Sequence, residues 1–568
     1  MTVKQLVVII VSTMYVDTST IKQGDKLYTR HLLRESYREG KKVRHRTIAN
    51  LSQCSDEEIA AIRLALRHKK NLSELTTTGK GHSFSQKQGL SIGAVWSVYD
   101  IARQLGIVDA FGTTRHSKLG LWQVIARVID QGSRLSAVRL AGAHAACDVL
   151  DLGKFDEDDL YDNLDWLCEH QASIEDRLFK NLSRTEKPGL FLYDVTSSYF
   201  EGTHNELSAF GYNRDGKKGK QQIVIGLLCN EAGVPLSVEV FTGNTQDPQT
   251  FVPQIKKVAE RFGSQEVTFV GDRGMIKSQQ IEQLGSTPYG FHYITAITKP
   301  QIETLLKKNV IQMDLFDQAL AEVKTHEGFR YVLRRNPARA QEIKKSREDK
   351  LNTLKKEIAK QNNYLKEHPR SKVEVSLRKV NARSTQLKIS DWILLSASER
   401  EIILAIDNDI LTEEAKLDGC YVLKTDLSET VATKETIHNR YKDLALVESA
   451  FRTSKTVELE LRPIHVRLAT RTRGHAFVVM VAYRIVKELS LRWQSMNLTV
   501  QEGLNELATL CATKLLVDGA VQINDIPEPR KSVKELLDAA KIRLPKSLPC
   551  KGIHVTTKKK LQSSRNNA

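Results

Sequence analysis

Apolar residues recur along this chain with two different periods, and the switch between them divides it. Between residues 91 and 185, "AVWSVYDIARQLGIVDAF" and "GLWQVIARVIDQG" repeat apolar positions every three or four residues, the period of an amphipathic helix. "KFDEDDLYDNLDWLCEH" predicts another helix, with acids in its first turn. From residue 189 the runs shorten. "GLFLYDVTSSYFEG" is an apolar strand ending at Asp194 and followed by a polar turn. "QQIVIGLLCNEAGVPLSVEVF" is two strands joined by the turn "NEAG". "DPQTFVPQIKKVAERFG" is a helix that Asp247 caps ahead of Pro248, and "EVTFVGDRGM" is a buried strand ending at Asp272. A helix in "KSQQIEQLG" and a strand in "FHYITAI" follow. Hairpin, helix, strand, helix, strand predicts a mixed α/β sheet.

The remaining segments divide by the same signals. Residues 1–90 open with "LVVIIVSTMYV", too short to span a membrane and expected to form a buried strand. A hairpin around "REGKK" follows. Residues 91–185 form a helical region, expected to bind DNA. Residues 186–300 and 401–500 are two parts of one sheet-bearing core. Residues 301–400 interrupt it with an arm in which Leu351, Leu354, Ile358 and Leu365 line a narrow stripe between Pro337 and Pro369. The sheet is expected to resume with "EIILAI" and "GCYVLKTD", and "HAFVVMVAYRIVKELSL" reads as a buried helix. Residues 501–568 end in a basic, polar tail expected to be disordered.

Composition narrows the class. With 568 residues, 40% hydrophobic and 27% charged, the chain has material for several cores, and a disordered protein is excluded. A formal net charge of +17 suggests a polyanionic partner, most often nucleic acid. The 7 cysteines are scattered with no CxxC pair, which argues against a zinc site or disulfide framework and fits a reducing cytosol. No run approaches a membrane span, so a cytoplasmic protein is expected. The N-terminal hairpin is crowded with cations, Arg38, Lys41, Lys42 and Arg44 among them. Two readings stand: a sheet edge protected from aggregation, and a contact to the DNA backbone.

One helix carries the strongest chemical signal. "RYKDLALVESAFRTSKT", residues 440–456, places Tyr441, Glu448 and Lys455 seven residues apart. At 3.6 residues per turn they share one stripe, drifting by about 20° per step. Arg452 lies beside them, and Leu444, Val447, Ala450 and Phe451 form the adjacent apolar face. Glu448 and Arg452 alone would be an ordinary pair worth about 0.3 kcal/mol. Asp194 and Asp272 alone would be turn or cap residues. Together, three acids on two strand ends and a helix can hold two Mg²⁺ ions, with Tyr441, Arg452 and Lys455 gripping phosphates.

The segments "YDVTSSYFEG", "GDRGM" and "RYKDLALVESAFRTSKTVELELRPIHV" closely resemble the three signatures of bacterial insertion-sequence DDE transposases. They resemble in particular the branch with a Tyr–Arg–Glu–Lys motif, which Tyr441, Glu448 and Lys455 match in spacing. The Arg position is Leu444 here, a departure that Arg440 or Arg452 would have to compensate. The similarity continues through "GNTQD", "YVLRRNP", "DGCYVLKTD" and "RTRGHAF", from the N-terminal hairpin to about residue 500. It implies a ribonuclease H-like core with Asp194, Asp272 and Glu448 as catalytic metal ligands, and an insertion between the second Asp and the Glu. It implies two Mg²⁺ or Mn²⁺ ions, and DNA contacts that would include Arg273. It further implies double-stranded DNA as partner, as terminal inverted repeats and target, with a homodimer holding paired ends. Two other readings remain: a metal-dependent nuclease of the same fold without strand transfer, and a non-catalytic DNA-binding descendant, against which the intact acid triad argues. His475 in "RTRGHAF" is either near the site or a core histidine.

Overall fold

The computed structural model describes residues 13–23, 26–39, 42–67, 84–184, 188–202, 204–262, 267–285, 290–455, 459–517, 520–549 and 551–558. It divides into two compact units: residues 1–88 with 513–525, and residues 89–512 with 526–568.

In the smaller unit, β1 (Thr13–Gln23), β2 (Lys26–Glu39) and β3 (Lys42–Asn50) form an antiparallel sheet in that order. Glu39 faces Lys42, so the hairpin turn falls where "REGKK" predicts it. Helix α1 (Asp56–Arg67), with three acids in its first turn, packs on β1. Most of "LVVIIVSTMYV" lies outside the described residues, and its described end, Met14–Val16, is only half-buried. The expectation of a buried strand fails there because, among the described residues, β1 has a sheet neighbour on one side only.

The larger unit is built on an eight-stranded mixed sheet. Its strands are β4 (Leu190–Tyr199), β5 (Gln222–Asn230), β6 (Pro235–Phe241), β7 (Thr268–Gly271), β8 (His292–Ala296), β9 (Ala321–Lys324), β10 (Arg330–Arg335) and a later strand, Cys420–Thr425. Across the sheet they run β6–β5–β4–β7–β8, then Cys420–Thr425, β10 and β9. β4, β5 and β6 are an antiparallel meander, while β7 and β8 run parallel to β4. Residues 321–335 therefore belong to the sheet, and the expected interruption at 301 begins too early. The arm starts only after β10. The alternation in "AEVK" and "RYVLRR" was too short to separate from the charged run behind it.

Both faces of the sheet are covered, which explains its near-continuous apolar strands. One face meets a core of Phe191, Tyr193, Phe251, Phe269 and their neighbours. The other shares one continuous core with the helical region, including α2 (Gly93–Gln104), α3 (Arg115–Ile129) and α4 (Glu157–Ser183). Asp156 caps α4 through a reciprocal pair with Asp159, as the acidic first turn suggests. The described part of the expected disordered tail, residues 551–558, is ordered against it. Lys558 reaches Asp158 at 2.8 Å and Asp156 at 3.2 Å, cations meeting an acidic helix start.

After β10 the chain leaves the sheet as α5 (Pro337–Glu367) and α6 (Val373–Leu387), then a two-stranded hairpin, β11 (Ile393–Ser398) with β12 (Glu401–Ile406). "EIILAI" is thus a strand, but it pairs only with β11 and does not rejoin the main sheet. The arm has its own core, in which Leu354, Ile358 and Leu365 meet Val380, Trp392 and Ile402. The main sheet resumes with Cys420–Thr425, here β13, antiparallel to both β8 and β10. Helices α7 (Lys434–Lys442), α8 (Leu444–Lys455) and α9 (Ala469–Arg492) follow, and α9 packs on α3, α4 and β6. Among the described residues no helix is long and apolar enough to cross a membrane.

Candidate active site

β4 is hydrogen-bonded on both sides. Tyr193 pairs with Gly271 of parallel β7, so the next residues, Asp194 and Asp272, emerge side by side. Asp272 directly follows its strand as the sequence suggests. Asp194 does not end its strand, because β4 continues to Tyr199 with Asp194 opposite Leu227. The polar residues after it, Thr196 to Ser198, are buried, which hydropathy alone reads as a turn. Alternation turns Tyr193 to the Phe251 side, where its hydroxyl donates to the Thr250 carbonyl at 3.1 Å, and Asp194 to the side that α8 covers.

The helix carrying the third acid is not continuous. α7 ends at Lys442 and α8 begins at Leu444, with Asp443 between them closing a tighter turn to the Leu446 N–H at 2.9 Å. The simple seven-residue stripe is therefore broken between Tyr441 and Glu448. The apolar face is as expected: Leu444, Val447, Ala450 and Phe451 are all buried. Leu444, where the motif has Arg, belongs to that buried face, and Arg440 instead lies 3.6 Å from Asp443.

Tyr441, Glu448, Asp194, Asp272 and Arg273 line one cleft of about 740 Å³. Burial raises the Asp194 carboxyl to about 7, and the charges of Asp272 and Glu448 push the same way, against the Val195 N–H and Arg214. The three acids thus sense one another. Asp272 is exposed, and its Oδ1 accepts from the Arg273 N–H at 2.7 Å and from the Tyr441 hydroxyl at 3.1 Å. Burial, then the Asp272 charge, raises the Tyr441 phenol, so it stays protonated and can only donate that bond. The far wall of the cleft brings Lys299, Arg339 and Arg347, of which Arg347 holds Asp418 through two bonds of 2.9 Å.

Lys455 and Arg452 do not line the cleft. Arg452 is exposed. Lys455 is 9% exposed and donates to Asp215 at 3.0 Å, beside Arg462 at 2.7 Å on the same oxygen, and burial lowers its pKa. Asp215, whose other oxygen accepts from the Tyr199 N–H at 3.1 Å, was invisible in "YNRDGKKGK", where every charge looks solvated. Lys42 and Arg44 are exposed on β3 in the smaller unit. Arg38 ends in β2 there, and Lys41 lies outside the described residues. His475 is a core histidine: it is 7% exposed, 3.0 Å from Arg134, and burial holds its pKa well below the usual value.

The donor set suits a hard cation: carboxylate oxygens only, beside open space for water and phosphate. Among the described residues no group of three or more His, Cys, Asp and Glu is gathered to hold a metal ion. Asp272 is turned toward Tyr441, and Asp194 accepts from the adjacent Val195 N–H.

Residues 185–485 match the family model for the transposase DDE domain, and residues 16–78 match that for the N-terminal domain of IS1634 family transposases. The chain belongs to the DDE transposases of insertion sequences, enzymes that act on DNA. Among solved structures it is similar to the piggyBac transposase synaptic complex with hairpin DNA, a cryo-EM structure, with 8% identity and a TM-score of 0.34, covering 73% of this chain and 75% of that one. No curated protein matches it.

Proposed function

We propose that this transposase cleaves the terminal inverted repeats of its element and joins the 3′-hydroxyl ends to target DNA. Asp194, Asp272 and Glu448 would be the ligands of two Mg²⁺ or Mn²⁺ ions, which when bound would activate the attacking oxygen and stabilise the leaving one. The observation that carries this reading is the meeting of the three acids on one cleft, with Asp194 held up to about 7 by burial and by the other two. Tyr441 orients Asp272 through its hydroxyl. Arg273, Arg339 and Lys299, which line the cleft, would meet phosphates of the bound strand. Lys455 acts from outside the cleft, through Asp215.

The sheet supports a ribonuclease H-like core: an antiparallel meander followed by two strands parallel to its first. In this reading the excursion from Pro337 to Lys416 is the insertion between the second Asp and the Glu. The protein would work as a homodimer, since two element ends must be held together.

The test is incubation of the purified protein with a duplex of the inverted repeats flanking its gene, Mg²⁺ and a supercoiled target plasmid. The expected product is the repeat joined to plasmid through its 3′ end. Cutting without joined product would favour a nuclease, and binding without cutting a non-catalytic descendant.

A further inference from the structure

Phe210 and Tyr212 are the two most exposed aromatic side chains among the described residues, 66% and 80% open. Both stand in the connection between β4 and β5. Rings of this size normally contribute by being covered, so two placed this openly call for a partner. The same stretch, residues 209–220, carries Arg214, Lys217, Lys218 and Lys220, which gives it a strong positive charge. Arg214 lies over the Tyr212 ring, 5.4 Å from its centre.

This loop is firmly attached at its base. The Arg214 N–H donates to the Ser197 hydroxyl at 3.0 Å, and Asp215 accepts from the Tyr199 N–H on β4. Asp215, its side chain 2% exposed, also binds Lys455 at the end of α8. The exposed rings therefore hang from the strand that carries Asp194 and from the helix that carries Glu448. Beside Tyr212 is a pocket of about 310 Å³, bounded also by Gln222, Gln246, Lys277 and Asp247, which holds Arg214 at 2.5 Å. Gln222 is 1% exposed, and its carboxamide oxygen has no hydrogen-bond partner among the described residues.

We infer that the 209–220 loop is a clamp for unpaired nucleotides beside the cut, with Phe210 and Tyr212 stacking on bases and the loop cations holding their phosphates. This rests on the reading of the protein as a DNA-cutting transposase. In duplex DNA each base face is covered by its neighbour, so a protruding ring gains a full stacking face only where bases are unpaired. Such stacking tolerates any sequence, because every base has a π-face.

The test compares the full-length wild-type chain with Phe210→Ala/Tyr212→Ala on two labelled probes of equal length: a blunt duplex, and a duplex whose end is forked by six unpaired thymines on each strand. The wild-type chain should bind the fork more tightly. The double variant should lose roughly ten- to a hundred-fold on the fork, under threefold on the blunt duplex, and melt at the wild-type temperature. Phe210→Trp/Tyr212→Trp should restore fork binding. Equal losses on both probes would make the loop a duplex contact and overturn the stacking role. Unchanged DNA binding with a changed sedimentation coefficient would make the rings a contact between copies of the chain and also overturn it. A wild-type chain that binds neither probe would sink the DNA-cutting reading itself. A binding-competent wild type matched by its variant on both probes would sink only the clamp.

Discussion

Asp194 stands on β4 and Asp272 directly after the neighbouring parallel β7, whereas Glu448 stands on a helix that starts after a break at Asp443. The strand pair is fixed by backbone: β4 has ladders on both sides, and apolar cores cover both faces. α8 has one buried face and a side-chain tether from Lys455 to Asp215, while α7 before the break is tied by Tyr441 to Asp272. The contrast teaches that the two halves of the site fail differently. Strand-side substitutions should remove chemistry and leave the geometry alone. Helix-side substitutions outside Glu448 should loosen geometry and affect chemistry second.

The largest effect is expected where the comparison is sharpest. Asp194→Ala, Asp272→Ala and Glu448→Gln should each slow strand cleavage by at least about 10²–10³-fold, with repeat binding largely kept. Gel assays of nicking and of mobility shift check both. A variant cutting at the wild-type rate would remove that residue from the set.

Next comes Asp215→Ala, which leaves Lys455 buried without its carboxylate. It should destabilise the larger unit by about 3 kcal/mol, seen as a lowered melting temperature. Adding Lys455→Ala should recover part of the loss, a coupling that a double-mutant cycle measures. If Asp215→Ala melts as wild type, α8 is held by its apolar face alone.

Tyr441→Phe should cost about 1–2 kcal/mol of cleavage rate, roughly tenfold, with melting unchanged, since only the bond to Asp272 is lost. A silent Tyr441→Phe with a destabilised Tyr441→Ala would reduce the phenol to a packing ring.

The smallest effect lies away from both halves. Lys42→Ala with Arg44→Ala should reduce the slope of log affinity against log salt by about 1–2 if β3 contacts DNA, and leave cleavage of saturated complex unaltered. An unchanged slope would return those cations to edge protection.

The strand side was largely legible in the sequence. Short apolar runs, the "NEAG" turn and the Asp after "VTFVG" mark β4 to β8 with small boundary errors. Asp194 was misplaced at a strand end because "TSSY" is polar yet buried. The apolar face of α8 was legible too, since periodicity reports burial. The tethers were not. Asp215 meets Lys455 across a sequence separation of 240, and no local pattern encodes such a meeting. The break at Asp443 escaped for the opposite reason: a one-residue interruption leaves helical periodicity almost intact. The arm was seen but drawn too wide, because its first 35 residues mix charge with two short strands.

Asn336 and Gly419 flank that arm, and the Asn336 N–H donates to the Gly419 carbonyl at 2.8 Å. Arg335 and Cys420 face each other across β10 and β13. The whole arm is therefore a detachable cassette, plugged into a hairpin whose two stems already touch. A tight two-residue turn joining those stems would leave every rung of the sheet in place. The same cut would strip Arg339 and Arg347 from the cleft. Exchanging the arm would thus change one wall of the cleft while leaving the strands and the helix that carry the three acids in place.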